Sequence, residues 1–138
     1  MTKLLIDTNI IIDYLDDRIP FADHSERIIE LCGQGVAEGF LTASAVTDIY
    51  YVLRKTIGHE KTISGLKILF SILKIAEVGK TDLIRAMEAD MSDFEDALAA
   101  CCAKRVKAKY IVTRNEKDFV NSAVKPISPE ALIKILEE

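Results

Sequence analysis

Cysteine is scarce in this chain and odd in number. Cys32, Cys101 and Cys102 offer no CxxC spacing, and the last two are adjacent in a helical stretch. That pattern excludes a disulfide framework and a zinc ribbon, and reads as reduced thiols packed as small hydrophobes in a cytoplasmic protein. Histidine is scarcer still: His24 and His59 have no partner at ligand spacing, so both read as surface residues. No window approaches the roughly 18 consecutive apolar residues of a membrane span. The apolar run after Lys3 is cut by Asp7 before it reaches the length of a secretory signal. An excess of positive charge is missing too, since the formal net charge is -4. General attraction to nucleic acid is thereby excluded, and any such binding requires a local basic patch.

What is present is a chain of 138 residues, 49% hydrophobic, enough for one domain spanning residues 1–138 with a substantial core. Apolar periodicity and punctuation divide it into alternating elements. Residues 3–6 read as a short buried strand, followed by a helix over 10–15 with Asn9 as its cap. A helix over 23–32 ends at Gly33 and Gly35. Residues 39–42 read as the next strand and 44–57 as a helix closed by Gly58. Helix 60–73, strand 75–78, helices 81–89 and 93–107, and strand 110–113 follow. Residues 124–127 form a short edge strand, where Pro126 is tolerated. Ser128 and Pro129 then cap and start a last helix to Leu136. Strands alternating with helices imply an α/β fold of three layers around a parallel sheet of four to five strands. Such sheets bind ligands beyond the carboxyl ends of their strands.

The acids and amides gather toward that edge. Asp7 closes the first strand in an otherwise apolar stretch, and an unpaired carboxylate there needs a partner. Asp48 lies in the helix after the second strand, Asp96 in the helix before the fourth, and Asn115 with Asp118 follows the fourth strand. Ser44 and Asp48 are four apart, and Asp93 and Asp96 three apart, so each pair shares a helix face. Carboxylates meeting in one pocket repel unless a cation sits among them. Oxygen donors without His or Cys favour a hard ion, Mg2+ or Mn2+, over zinc.

Four stretches together resemble the PIN-domain nucleases, close to the VapC-type toxin branch. They are Ile6-Asp7-Thr8-Asn9 with Asp13, Ser44-x-x-Thr47-Asp48-Ile49-Tyr50-Tyr51, Asp93-Phe94-Glu95-Asp96-Ala97-Leu98, and Ile111-Val112-Thr113-Arg114-Asn115-x-x-Asp118-Phe119. One alone, such as the bare DTN, is weak; in register over nearly the whole chain they are specific. The resemblance implies a three-layer PIN-like fold in which Asp7, Asp48, Asp96 and Asn115 or Asp118 surround one or two divalent cations. It implies hydrolysis of RNA phosphodiester bonds, an antitoxin partner and a homodimer. Asp7, Asp48, Asp96 and Asp118 are then the catalytic acids, with Asn115 as a further metal ligand, and Thr8 or Thr113 holds a carboxylate or water. Two positions depart from the family: Asp48 stands where Glu is commoner, and Asn115 is neutral. They motivate the rival reading of a degenerate PIN module that binds RNA or protein without cutting.

Other residues keep plainer readings beside the functional ones. Asp13 either supports the site or pairs with Arg18. Ser44 is a helix cap or a site residue, and Glu95 with Asp93 is a surface or supporting group. Tyr50 and Tyr51 are packing residues, one of them facing a dimer partner. Lys104, Arg105, Lys107, Lys109, Arg114 and Lys117 are either a solvated basic face or contacts to RNA phosphates. A phosphoacceptor receiver is disfavoured because no later strand presents a Lys at its end. A haloacid-dehalogenase-like phosphatase is disfavoured because no second Asp lies two residues after Asp7.

Overall fold

The computed structural model describes residues 1–138. Five parallel strands form one sheet: β1 (Thr2–Ile6), β2 (Ala37–Thr42), β3 (Lys74–Ala76), β4 (Tyr110–Val112) and β5 (Lys125–Ile127), in the spatial order β3-β2-β1-β4-β5. The first strand is therefore the central one. Leu4, Leu5 and Ile6 are all buried, as expected of a strand covered on both faces. Their side chains alternate: Leu4 and Ile6 join the larger core, and Leu5 joins the smaller one on the opposite face.

The larger core is built by α1 (Thr8–Leu15), α2 (Ala22–Gly33), α3 (Ala43–Ile57), α4 (His59–Ile72) and α7 (Pro129–Leu136), through Ile10, Ile11, Ile28, Ile49, Leu53, Leu69 and Leu132. The opposite face is covered by α6 (Phe94–Arg105), with α5 (Lys80–Glu88) packed against it. Alanine-rich α6 has high intrinsic helix propensity. Its start is set by Asp93, whose side chain accepts from the Asp96 amide at 2.9 Å. Gly58 at φ 85 separates α3 from α4, a conformation that costs glycine little. Cys32 and Cys102 are buried among apolar groups, and burial pushes the Cys32 thiol up to about 11. These thiols pack as hydrophobes, as their spacing implies.

Most boundaries fall within a residue or two of the sequence reading. The cap of α1 is a correction: Asp7, not Asn9, caps it, and the helix starts at Thr8. Asp7 does so because its carboxylate accepts from the Thr8 amide at 2.8 Å. A 3-10 turn over Glu116–Phe119 was not foreseen; it is anchored by Phe119, which is fully buried in the smaller core.

Gly39 shows how closely β2 is packed. A Cβ there would meet Leu73 Cδ2 at 2.7 Å, Cys32 Sγ at 2.9 Å and Ile6 Cδ1 at 3.1 Å. Gly39→Ala is expected to destabilise the protein by about 1–3 kcal/mol, the usual cost of overpacking a core. A chemical denaturation midpoint equal to wild type would contradict this packing.

Candidate active site

Parallel pairing brings the carboxyl ends of the central strands to one edge. Ile6 lies opposite Val112 in the β1–β4 register, and Thr42 lies opposite Ala76 at the end of β2. The residues just beyond those ends, with the amino end of α6, line an open cleft of about 510 Å³. Asp7, Thr8, Asn9, Ser44, Asp48, Asp93, Phe94, Glu95, Asp96, Asn115 and Asp118 all face it. All five acids and amides expected at the site are thus brought together. Glu95, read as a surface or supporting group, joins them.

Asp7 is the most firmly held. Its amide donates to the Val112 carbonyl at 2.9 Å, fixing the backbone to β4. Its Oδ1 accepts from the Thr8 amide at 2.8 Å and its Oδ2 accepts from the Thr113 hydroxyl at 2.8 Å. The fully buried Thr113 also accepts from the Asn115 amide at 3.0 Å, so one hydroxyl ties the first acid to the loop carrying the last ones. Ser44, by contrast, is not the cap of α3, a position that Thr42 occupies; its hydroxyl donates to Thr42 Oγ1 at 3.3 Å at the cleft wall.

Asp13 has a partner different from the one expected. Arg18 pairs with Asp16, while the fully buried Asp13 receives Arg114 Nε at 2.7 Å. The Arg114 guanidinium also lies 3.9 Å from the centre of the Phe21 ring. This pair joins α1 to the segment between Thr113 and Asn115, supporting the site from behind. His59 likewise has a neighbour the sequence did not suggest, since Tyr50 Oη lies 2.7 Å from its Nδ1.

The six clustered basic residues are dispersed by the fold. Arg114 is committed to Asp13, and Arg105 binds Asp82 at 3.0 Å as well as the Glu77 carbonyl. Lys107 and Lys109 sit with Lys3 at the opposite, amino end of the sheet. Only Lys117 stays exposed on the turn that carries Asp118. Lys104, in the last turn of α6, lines a different pocket, so of the two readings the fold favours separate solvated or ion-paired groups over one phosphate-binding patch.

Electrostatics inside the cleft are one-sided. Six carboxylates line it and no Lys, Arg or His does. Burial, reinforced by Asp93, Asp7, Asp118 and Glu95, pushes the Asp96 carboxyl from 3.8 up to about 7. Burial also raises Asp7, against the opposing hydrogen bonds from Thr113 and Thr8. The neighbouring Asp48 charge, then burial, raises Glu95. Asp48, Glu95, Asp96 and Asp118 receive no hydrogen bond from any amide, hydroxyl or basic group of the chain. Oxygen donors that are crowded, unneutralised and free suit a hard divalent cation. No three of the acids already close on a single point, so gripping an ion requires side-chain rotation, which the exposed Asp48 and Glu95 can supply.

Against this geometry the family comparison is decisive: residues 3–117 match the model of the PIN domain. The chain belongs to the PIN-domain family. Ribonuclease VapC1 of Aquifex aeolicus is 29% identical over 133 residues, covering 93% of this chain and 91% of that protein. Among solved structures, VapBC2 from Rickettsia felis bound to a promoter DNA fragment aligns with a TM-score of 0.74 at 18% identity, covering 92% of this PIN-domain chain and 98% of the other. DNA-bound VapBC from Salmonella typhimurium aligns with a TM-score of 0.71 at 15% identity, covering 94% and 99%. At those identities the structural likeness establishes the fold, a PIN-like α/β sheet flanked by helices.

The raised acids make stability depend on pH. Asp96 unfolds to an ordinary carboxyl near 3.9, so between that value and about 7 the folded chain binds the additional proton. Stability is then fully present below about 4 as far as this group is concerned, and is lost as pH rises through about 7. In EDTA, wild type is expected to melt at a higher temperature at pH 5 than at pH 8, and Asp96→Asn to flatten much of that difference. An Asp96→Asn variant with an unchanged pH dependence would contradict the assigned electrostatics.

Proposed function

We propose that this PIN-domain protein is a divalent-metal-dependent endoribonuclease that hydrolyses RNA phosphodiester bonds, and that it is the toxin of a type II toxin-antitoxin pair. The observation that carries this reading is the cleft at the carboxyl edge of the sheet, with six carboxylates and no basic side chain. The similarity to Ribonuclease VapC1 supports the reaction, and the likeness to VapBC assemblies supports an antitoxin partner. Asp7, Asp48, Asp96 and Asp118 are the acids assigned to catalysis, and with Asn115 they would hold Mg2+ or Mn2+. When bound, the cation lowers the pKa of water and offsets charge developing on the phosphate oxygens.

The chain's own residues divide the remaining work. Asp7 is immobilised by Thr113 and Thr8, so it sets the position around which the freer acids adjust. Asn115 supplies an oxygen without adding negative charge, which reduces repulsion of the RNA backbone. Phe94, 45% exposed at the rim, offers a face on which an unpaired base can stack. In the reaction a water oxygen bonds to phosphorus, one ester P–O bond breaks, and the departing oxygen takes up a proton.

The whole chain acts as one domain, a reading supported by the central place of the first strand between β2 and β4. Exposed Tyr51, Ile68 and Phe70 on α3 and α4 provide apolar surface for a second copy or an antitoxin. No helix is long and apolar enough to cross a membrane, in keeping with a cytoplasmic site of action. A non-cutting PIN module is the second reading, favoured by the separation of the acids and the neutral Asn115.

Cleavage of a mixed RNA pool separates the two. Purified protein is expected to cut with Mg2+ or Mn2+ and not in EDTA. Asp7→Asn and Asp96→Asn are expected to lower the rate by about 100-fold or more, the scale on which losing a preorganised electrostatic group acts. Wild-type protein, freed of any co-purified partner and still inert with metal, would favour the binding module. Equal cutting by wild type and variants would remove the site assignment.

A further inference from the structure

Glu95 is the one glutamate among the cleft acids, and it stands on the opposite wall from Asp48. Asp48 projects from α3 and Glu95 from the first turn of α6, and their carboxyl groups meet within hydrogen-bonding range. Two features make this apposition unusual. An exposed glutamate in a first helical turn satisfies the helix dipole equally well when it points into solvent. Here it turns instead toward another acid, in a cleft with no basic side chain between them. The other cleft acids are differently placed: Asp93 is occupied capping α6, Asp7 lies near Asp118, and Asp96 in α6 is acted on by Asp93, Asp7, Asp118 and by Glu95 itself. Glu95 is the sequence neighbour of Asp96 and carries one methylene more than the aspartates, so it connects the Asp48 wall of the cleft to Asp96.

We propose that Glu95 is a further member of the cation-holding set, pairing with Asp48 to form the α3 side of the site and linking it to Asp96. This rests on the metal-dependent reading above. Glu95 would supply a second carboxylate beside Asp48, and the repulsion between the two is what a divalent cation would relieve. Its length supplies reach that Asp48 lacks.

Calorimetric titration of Mn2+ into purified full-length chain tests this without reference to RNA cleavage. Glu95→Gln preserves size and removes the charge, and is expected to weaken Mn2+ binding roughly tenfold, in the range for residues that support metal ligands. Asp96→Asn is the positive control and should lose binding. Glu116→Gln, which lies outside the cleft, should bind as wild type and so separates a local role from a change in net charge. Circular dichroism melts confirm that each variant is folded. Unchanged affinity in Glu95→Gln alongside loss in Asp96→Asn would overturn the role of Glu95 and leave the metal site standing. Equal weakening in Glu95→Gln and Glu116→Gln would also overturn it. Wild type that binds no Mn2+ would overturn the metal-dependent reading and this inference with it.

Discussion

The hydrogen bond from the Thr113 hydroxyl to Asp7 joins two strand ends that are 106 residues apart in sequence. It works only because β1 and β4 are adjacent and parallel, so that both strands arrive at the cleft in step. The same hydroxyl accepts from the Asn115 amide, which directs the chain after β4 toward the acids rather than away from them. Behind it, the buried Asp13 holds Arg114, so the residue between Thr113 and Asn115 is also fixed. A buried charged pair of this kind contributes little net stability, yet removing one partner costs several kcal/mol. Its value here is to make a loop as well positioned as a strand.

Around that rigid centre the protein tolerates a conflict. Asp96 carries a carboxyl pushed up to about 7 by burial and by four neighbouring acids, an arrangement that opposes folding at neutral pH. Nothing in the cleft relieves it, because the basic side chains that could do so are elsewhere. Arg105 is on Asp82, Arg114 is on Asp13, and Lys107 and Lys109 are at the far end of the sheet. Functional sites are where such local inconsistency is kept, since a site that is already neutral has no use for a cation. The aliphatic core on both faces of the sheet supplies the stability that the cleft forfeits.

Much of this was legible along the chain, for identifiable reasons. The strand and helix alternation followed from apolar periodicity, and Ser128 with Pro129 located the start of α7 correctly. The convergence of Asp7, Asp48, Asp96, Asn115 and Asp118 followed from parallel topology, which places every strand's end at one edge. What stayed hidden depends on long-range geometry. Asp13 finds Arg114 across 101 residues, while the nearer Arg18 turns to Asp16. The six basic residues look contiguous in sequence, but β4 runs between Lys109 and Arg114 and carries them to opposite ends of the sheet. The sequence leaves Glu95 between a surface and a supporting role, because its one-residue offset from Asp96 turns it away from that side chain on a helix. Only the approach of α3 from the other wall gives it a partner.

The central claim is that the convergent acids form a metal site organised by Asp7. X-ray diffraction from crystals soaked in Mn2+, recorded at a wavelength where manganese scatters anomalously, tests it directly. An anomalous peak bridging Asp7 with Asp96 or Asp118 is the expected result. Occupied Mn2+ sites confined to other parts of the surface, with this cleft empty at saturating metal, would contradict it.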